Sequence, residues 1–206
     1  MKSEFIGRGK LLIGLCAMLF STASFADVQL EPTWVKEGVN WAQYSKFQIK
    51  PLNIDDVNVI KPPYAVDDPR DWTLDIKDLE GMQAVFRDVM IDVLEGTGGY
   101  PVVHSDAKDV LEVRVEILNI MPWLKPGGDD EMEGYEVQTL GSGEITARVE
   151  LRDSVTRELL LLIEGDKAVG EQYKQFNREN NVSNITAMFT QFATRLRNSM
   201  DRVHGK

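Results

Sequence analysis

The residues able to do acid–base or nucleophilic chemistry are few, and their spacing is unhelpful to it. The 206-residue chain has two histidines, His104 and His204. A Ser-His-Asp relay would have to be built from His104, Ser105 and Asp106, which are consecutive. Neighbours on an extended backbone point to opposite faces, so these three cannot form the two hydrogen bonds in series that a relay needs. Asp129, Asp130, Glu131 and Glu133 offer the hard oxygens that suit calcium. Their spacing departs from the EF-hand loop, so Asp129, Asp130 and Glu133 read as a solvated acidic stretch. Asp67 and Asp68 are adjacent carboxylates of the kind common in loops, with nothing to set one as acid and the other as base. Gly96-Thr97-Gly98-Gly99 follows a helical stretch instead of opening one, the wrong context for cradling phosphate. No catalytic residue, metal or cofactor is expected. Recognition is the chemistry that remains, and its candidates are Tyr64, Trp72, Trp123 and Tyr135, in or beside two long loops.

Those loops, 55–72 and 121–140, are set between regular elements. Tyr44 to Ile54 carries apolar residues around Pro51, which removes a ladder donor and predicts an edge strand with an irregularity there. Leu79, Met82, Val85, Phe86, Val89, Met90, Val93 and Leu94 recur at helical steps, with Asp75 or Thr73 as cap and Gly96 at the end. After a short run at Tyr100 to His104, Leu111, Val113, Val115 and Ile117 alternate with Glu112, Arg114 and Glu116. The alternation slips at Ile117-Leu118, which predicts a bulge. Ile145, Ala147, Val149 and Leu151 alternate in the same way with Thr146, Arg148, Glu150 and Arg152, and a polar turn leads into a second strand. Val169 to Asn180 reads as a polar connection. The last element, Val182 to Val203, is an amphipathic helix capped by Asn181 or Ser183.

Two alternating strands mean that one sheet face is charged and wet, while two apolar helix stripes need the other face. The fold expected is an α/β two-layer sandwich, with a mixed, mostly antiparallel sheet of four or five strands and two long helices on one side. Glu112, Arg114 and Glu116 are placed to pair with Arg148, Glu150 and Arg152. Leu159-Leu160-Leu161-Leu162-Ile163 is apolar on both parities, so Leu160 and Leu162 are expected on the wet face beneath a cover. The cover expected is the arm carrying Trp34 and Trp41; if the arm were detached, these leucines would form an interface.

The N-terminus reads as an export signal. Lys2, Arg8 and Lys10 precede the apolar run Leu11 to Phe20, and Ser24 and Ala26 stand at the −3 and −1 positions of a cleavage site. Ten apolar residues fall short of the ~20 that span a bilayer. Cys16 follows Leu15, a poor context for lipidation. The division expected is signal peptide 1–26, extended arm 27–43 and a single sandwich domain 44–206, located in the periplasm or secreted. Cleavage removes Lys2, Arg8 and Lys10 against Glu4, taking the formal charge from −10 to −12. A surface so acidic repels nucleic acid phosphates. It also leaves no cysteine for disulfides, so the ~180 residues must rely on a packed core.

Several stretches resemble one family. Glu150-Leu151-Arg152-Asp153-Ser154-Val155-Thr156-Arg157-Glu158-Leu159 resembles the E-L-x-D-S-x-T-G-E-x-L strand–turn–strand of the bacterial domain of unknown function 3313. Tyr44-Ser45-Lys46 with Pro51 is similar to its early strand, and Phe192-Ala193, Leu196-Arg197 and Met200-Asp201 to its closing helix. The resemblance implies an exported envelope protein, often lipidated, and no particular activity. Two departures stand out: Arg157 replaces the preferred glycine, and the lipobox cysteine is missing. The function expected is a non-catalytic periplasmic or envelope module for binding or assembly, with an envelope protein as partner. The alternative is an exported carboxylate-dependent hydrolase.

Overall fold

The central strand of the sheet is the one whose alternation is interrupted. In the computed structural model, which describes residues 31–125 and 137–206, β4 (Val110–Pro122) lies between strands that run in both directions. The chain begins with β1 (Pro32–Val35), a one-turn 3-10 helix at Trp41–Gln43, β2 (Lys46–Ile49) and β3 (Asn58–Val59). Helix α1 (Ile76–Glu95) leads to β4, and β5 (Gln138–Leu140), β6 (Gly143–Asp153), β7 (Leu159–Val169) and β8 (Tyr173–Gln175) precede helix α2 (Arg178–His204). The main sheet is six-stranded in the order β1-β7-β6-β4-β2, with β3 also on β4. β2 and β3 run parallel to β4; β6, β7 and β1 continue antiparallel. β5 and β8 form a separate antiparallel ribbon. The sandwich is therefore as expected, with a larger sheet than four or five strands.

Both alternations do what their period requires. Val113, Val115 and Ile117 of β4 and Ile145, Ala147, Val149 and Leu151 of β6 are buried toward the helices. The bulge expected near Leu118 is present, as a register shift between Ile117 and Asn119. On the other face Glu112 is opposite Arg152, Arg114 opposite Glu150 and Glu116 opposite Arg148, the pairing that the charges suggested. Arg148 also reaches Glu164 of β7, at 2.8 Å. Partly exposed cross-strand pairs such as Glu116–Arg148 and Arg148–Glu164 contribute ~0.2–1 kcal/mol each, so they tune register more than they hold the fold.

The leucine run departs from expectation. A second register shift falls between Leu151 and Arg152, whose partners are Leu161 and Leu159, so Leu160 is the extra residue of a bulge. The bulge turns Leu160 inward, where it is 3% exposed beside Leu161, and it needs no cover on the wet face. Leu162 does stay on that face, directly opposite Trp34 of β1. Trp41 has left the arm altogether and packs in the core with Tyr44.

The two helices are parallel neighbours. Phe86 of α1 meets Phe189 of α2 edge to face at 5.2 Å between centroids. Near their C-terminal ends, Arg197 donates from Nη1 to the Val93 carbonyl at 2.9 Å and from Nη2 to the Thr97 carbonyl at 2.5 Å. Tyr100 Oη donates to Asp201 at 2.8 Å. α1 is capped by Asp75, whose carboxylate accepts from the Lys77 amide. α2 begins earlier than the apolar stripe suggested, because Asn177 caps it through the Asn180 amide at 2.8 Å. Gly205, in the left-handed region, ends it.

Candidate functional site

The N-termini of α1 and α2, the end of β4, the start of β6 and the β5–β8 ribbon all gather at one end of the sandwich. There a groove of about 600 Å³ lies between the helix starts and the sheet. Leu79, Met82 and Val85 of α1, Ile120 and Ile145 of the sheet and Ile185 of α2 give it an apolar lining. Lys77, Asp78, Glu144, Arg178 and Asn181 add polar groups. Asp78 and Arg178 approach across the two helices at 3.5 Å.

Local chemistry explains why this end is open yet ordered. Gly141 turns the chain from β5 into β6 with φ of 74°, and a Cβ there would lie 2.3 Å from the Gly170 carbonyl oxygen. Only glycine combines that backbone with so close an approach. Next to it, Ser142 Oγ donates to Asn181 Oδ1 at 2.7 Å and accepts from Asn184 Nδ2 at 2.9 Å, tying the strand entry to the first turns of α2.

The two long loops meet at the same end. Tyr64 Oη donates to the Trp123 carbonyl at 2.6 Å, and Trp123 Nε1 donates to the Leu140 carbonyl at 2.9 Å. Burial raises the Tyr64 phenol above its ordinary pKa. Tyr64 and Trp123 are thus brought together, with Tyr64 64% exposed. Trp72 is buried, so it supports the loop from within and is not itself a contact surface. Tyr135 and the acidic stretch with Asp129, Asp130 and Glu133 lie outside the described residues. Leu160 is in the core, and Leu162 sits half-buried on the opposite face of the sheet. The groove-lining residues were indistinguishable from core positions in sequence, since each belongs to an ordinary helix or strand stripe. The one available signal was the paired start of two amphipathic helices beside two aromatic loops.

The carboxylates of Asp68 in the first long loop and Glu150 on the charged face are engaged. Asp68 accepts from the Arg70 amide and guanidinium, which hold its carboxyl below the usual range. A second, polar concavity on the charged face is lined by Lys50, Arg114, Glu116, Arg148, Glu150 and Arg152. Its Glu150 carboxyl is held low by the hydrogen bond from Arg152 at 2.7 Å. His104 is exposed at a strand end, and His204 Nε2 hydrogen-bonds the Tyr44 carbonyl at 2.9 Å, far from either concavity. Among the described residues no group of three or more His, Cys, Asp or Glu side chains is arranged to hold a metal, and no helix is long and apolar enough to cross a membrane.

The described residues form an α/β sandwich with one charged open face and an apolar groove between the helix starts and the sheet. The chain itself is a member of the family described as "Protein of unknown function (DUF3313)", whose model matches residues 24–196. Among solved structures it is similar to the PelC dodecamer from Paraburkholderia phytofirmans, at 10% identity and TM-score 0.37, covering 79% of this chain and 94% of that one. It is also similar to protein XCC0632 from Xanthomonas campestris, of the DUF330 family, at 13% and 0.43, covering 84% and 94%. A neuraminyllactose-binding hemagglutinin homolog from Helicobacter pylori matches at 7% and 0.34, covering 86% and 97%. What those proteins bind or assemble into is theirs alone. No curated protein matches the sequence.

Proposed function

We propose that this protein is an exported, non-catalytic module of the periplasm or cell envelope that binds a partner at its loop end and serves assembly or recognition there. The observation that carries the reading is the convergence of both long loops, through the Tyr64–Trp123 hydrogen bond, beside a groove of about 600 Å³ between the helix starts. That volume lies within the ~300–1,000 Å³ of typical ligand pockets, and the lining is apolar with a few polar groups, the composition that recognition favours. The export signal supplies the compartment. A carboxylate-dependent hydrolase gains no support from the geometry: it needs a carboxyl kept protonated near neutral pH, whereas Arg152 pulls the Glu150 carboxyl in the opposite direction.

The test uses Ile185→Trp, which fills the groove from α2. Affinity capture from envelope fractions should enrich a component with the wild type and lose it with this variant, while circular dichroism shows an unchanged fold. Equal recovery from both, together with no phenotype on deleting loop 55–72, would remove the reading. Intact mass of the exported chain should place its first residue at Asp27.

A further inference from the structure

The charged face of the sheet is not flat. β2 ends at Ile49, which pairs with Val113, and the chain rejoins β4 at Asn53, which pairs with Glu116. Four steps along one side are therefore matched to three along the other, and Pro51, with no amide hydrogen to give, sits in the excess. Lys50 and Asn53 thus wall a concavity of about 560 Å³ whose floor is the charged rows of β4 and β6.

Positive charge gathers at this wall beyond what the carboxylates beside it balance. Glu112, 0% exposed, receives Arg114 Nε at 2.5 Å, Arg157 Nη1 and, at 3.4 Å, Lys50 Nζ. Asp106 offsets the Arg157 charge from 2.5 Å, which leaves Glu112 a single charge to set against both Arg114 and Lys50. The neighbouring carboxylates are engaged by other groups: Glu150 by Arg152 at 2.7 Å, and Glu116 by Arg148 Nη1 and Asn53 Nδ2, each at 3.2 Å. Arg114 gives only its Nε to the protein. Its two terminal nitrogens, on a side chain 46% exposed, have no acceptor among the described residues.

Two cations at one concavity repel each other, and an anion between them relieves the repulsion. A planar guanidinium fork beside an ammonium is a donor set suited to a carboxylate or phosphate, and Glu112 holds both side chains in place for it. Glu116 and Glu150 in the same lining oppose a second negative charge but accept hydrogen bonds from hydroxyls, as Asn53 also can. The chain's formal charge of −10 slows the approach of any anion, yet inside the concavity the nearest charges decide. We propose that this concavity binds a hydroxyl-rich anion, a sugar acid or sugar phosphate, with its charged group between Arg114 and Lys50 and its hydroxyls on Asn53, Glu116 and Glu150. It lies on the opposite side of the sheet from the groove, so the inference is independent of what the groove binds.

Calorimetric titration of the full chain at low ionic strength with glucuronate, glucose 6-phosphate, glucose and inorganic phosphate tests it, with amide NMR shifts locating the site. At least one sugar anion should bind saturably and shift the amides of Arg114, Glu116 and Glu150, and the tighter of the two identifies the charged group. Glucose should not bind, and inorganic phosphate should bind at least ~10-fold more weakly. Arg114→Gln and Lys50→Gln should each weaken binding ~10-fold or more, and Lys50→Gln leaves Glu112 its two arginines, so that variant keeps the fold. Absence of saturable binding by both sugar anions, undiminished binding by Lys50→Gln, or shifts centred on Ile120 and Ile185 in the groove would overturn the proposal. So would inorganic phosphate that binds as tightly as the sugar anions, the behaviour of an adventitious ion only.

Discussion

Arg157 holds a left-handed backbone, φ 62°, and from it donates through Nη1 to the carboxylate of Glu112, which is 0% exposed. A non-glycine residue in this region costs ~1–2 kcal/mol. The same guanidinium reaches Asp106 at 2.5 Å, and Arg114 and Lys50 also contact Glu112, at 2.5 and 3.4 Å. The left-handed position accounts for a preference for glycine in this turn, and the ion pairs for its replacement here. Arg157→Ala keeps the backbone cost and loses the pairs, so it should destabilise by ~2 kcal/mol, moderated by the cations that Glu112 retains. Arg157→Gly should recover about 1 kcal/mol of that loss. Urea unfolding of the three proteins checks the order.

Acid and alkali should each weaken one contact between the segment just before β2 and the end of β6. Tyr44 Oη donates to Asp153 at 3.0 Å. Burial, and then this bond, push the Tyr44 phenol up to about 12. Burial works against the Asp153 charge, but hydrogen bonds from Thr156, Tyr44 and Val155 outweigh it and leave its carboxyl below the ordinary value. A raised phenol gives stability that is full below its unfolded pKa of ~10 and is lost as pH rises through 12. A depressed carboxyl gives stability that is full above ~4 and is lost as pH falls through its folded value. Melting temperature against pH should show both limbs, and Tyr44→Phe should flatten the alkaline one.

The bulge in β7 sends two leucines of the same parity to opposite faces. Leu160→Ala removes a core side chain and should cost ~2–5 kcal/mol. Leu162→Thr, on the charged face opposite Trp34, should cost under ~1 kcal/mol. Chemical denaturation at neutral pH is sufficient to separate them.

Two glycines with the same backbone should respond differently to a methyl group. At Gly205, φ 69°, an added Cβ meets nothing within 4 Å, so Gly205→Ala should cost only the ~1 kcal/mol of the conformation. At Gly141, φ 74°, the Cβ would strike the carbonyls of Gly170 and Val169 at 2.3 and 2.5 Å. Gly141→Ala should therefore cost at least ~3 kcal/mol and loosen the groove, and thermal melts of the two variants compare them directly.

The half-buried strands were legible because burial on one face forces alternation, and the opposed charges of β4 and β6 followed from it. β5 and β8 were not, since three residues each, Gln138–Leu140 and Tyr173–Gln175, are too few to show a period. The first turn of α2, beginning Arg178-Glu179-Asn180-Asn181, is polar on every side and looked like loop until Asn177 was seen to cap it. In a run of leucines no register slip is visible, which hid the bulge at Leu160. Glu112 was assigned to water because its cover, Lys50 and Arg157, comes from segments remote in sequence. The aromatic loops were legible as candidates, but that Tyr64 meets Trp123 while Trp72 turns inward depends on tertiary contacts alone.

The parallel helices are clamped by Arg197 near their C-terminal ends and joined at their starts by Asp78 and Arg178. The stretch of α1 from the Phe86–Phe189 contact back to Ile76 is ten residues, an arm of about 15 Å. Leu79, Met82 and Val85, the α1 wall of the groove, all fall within that arm, and the Asp78–Arg178 pair ties its tip to the start of α2.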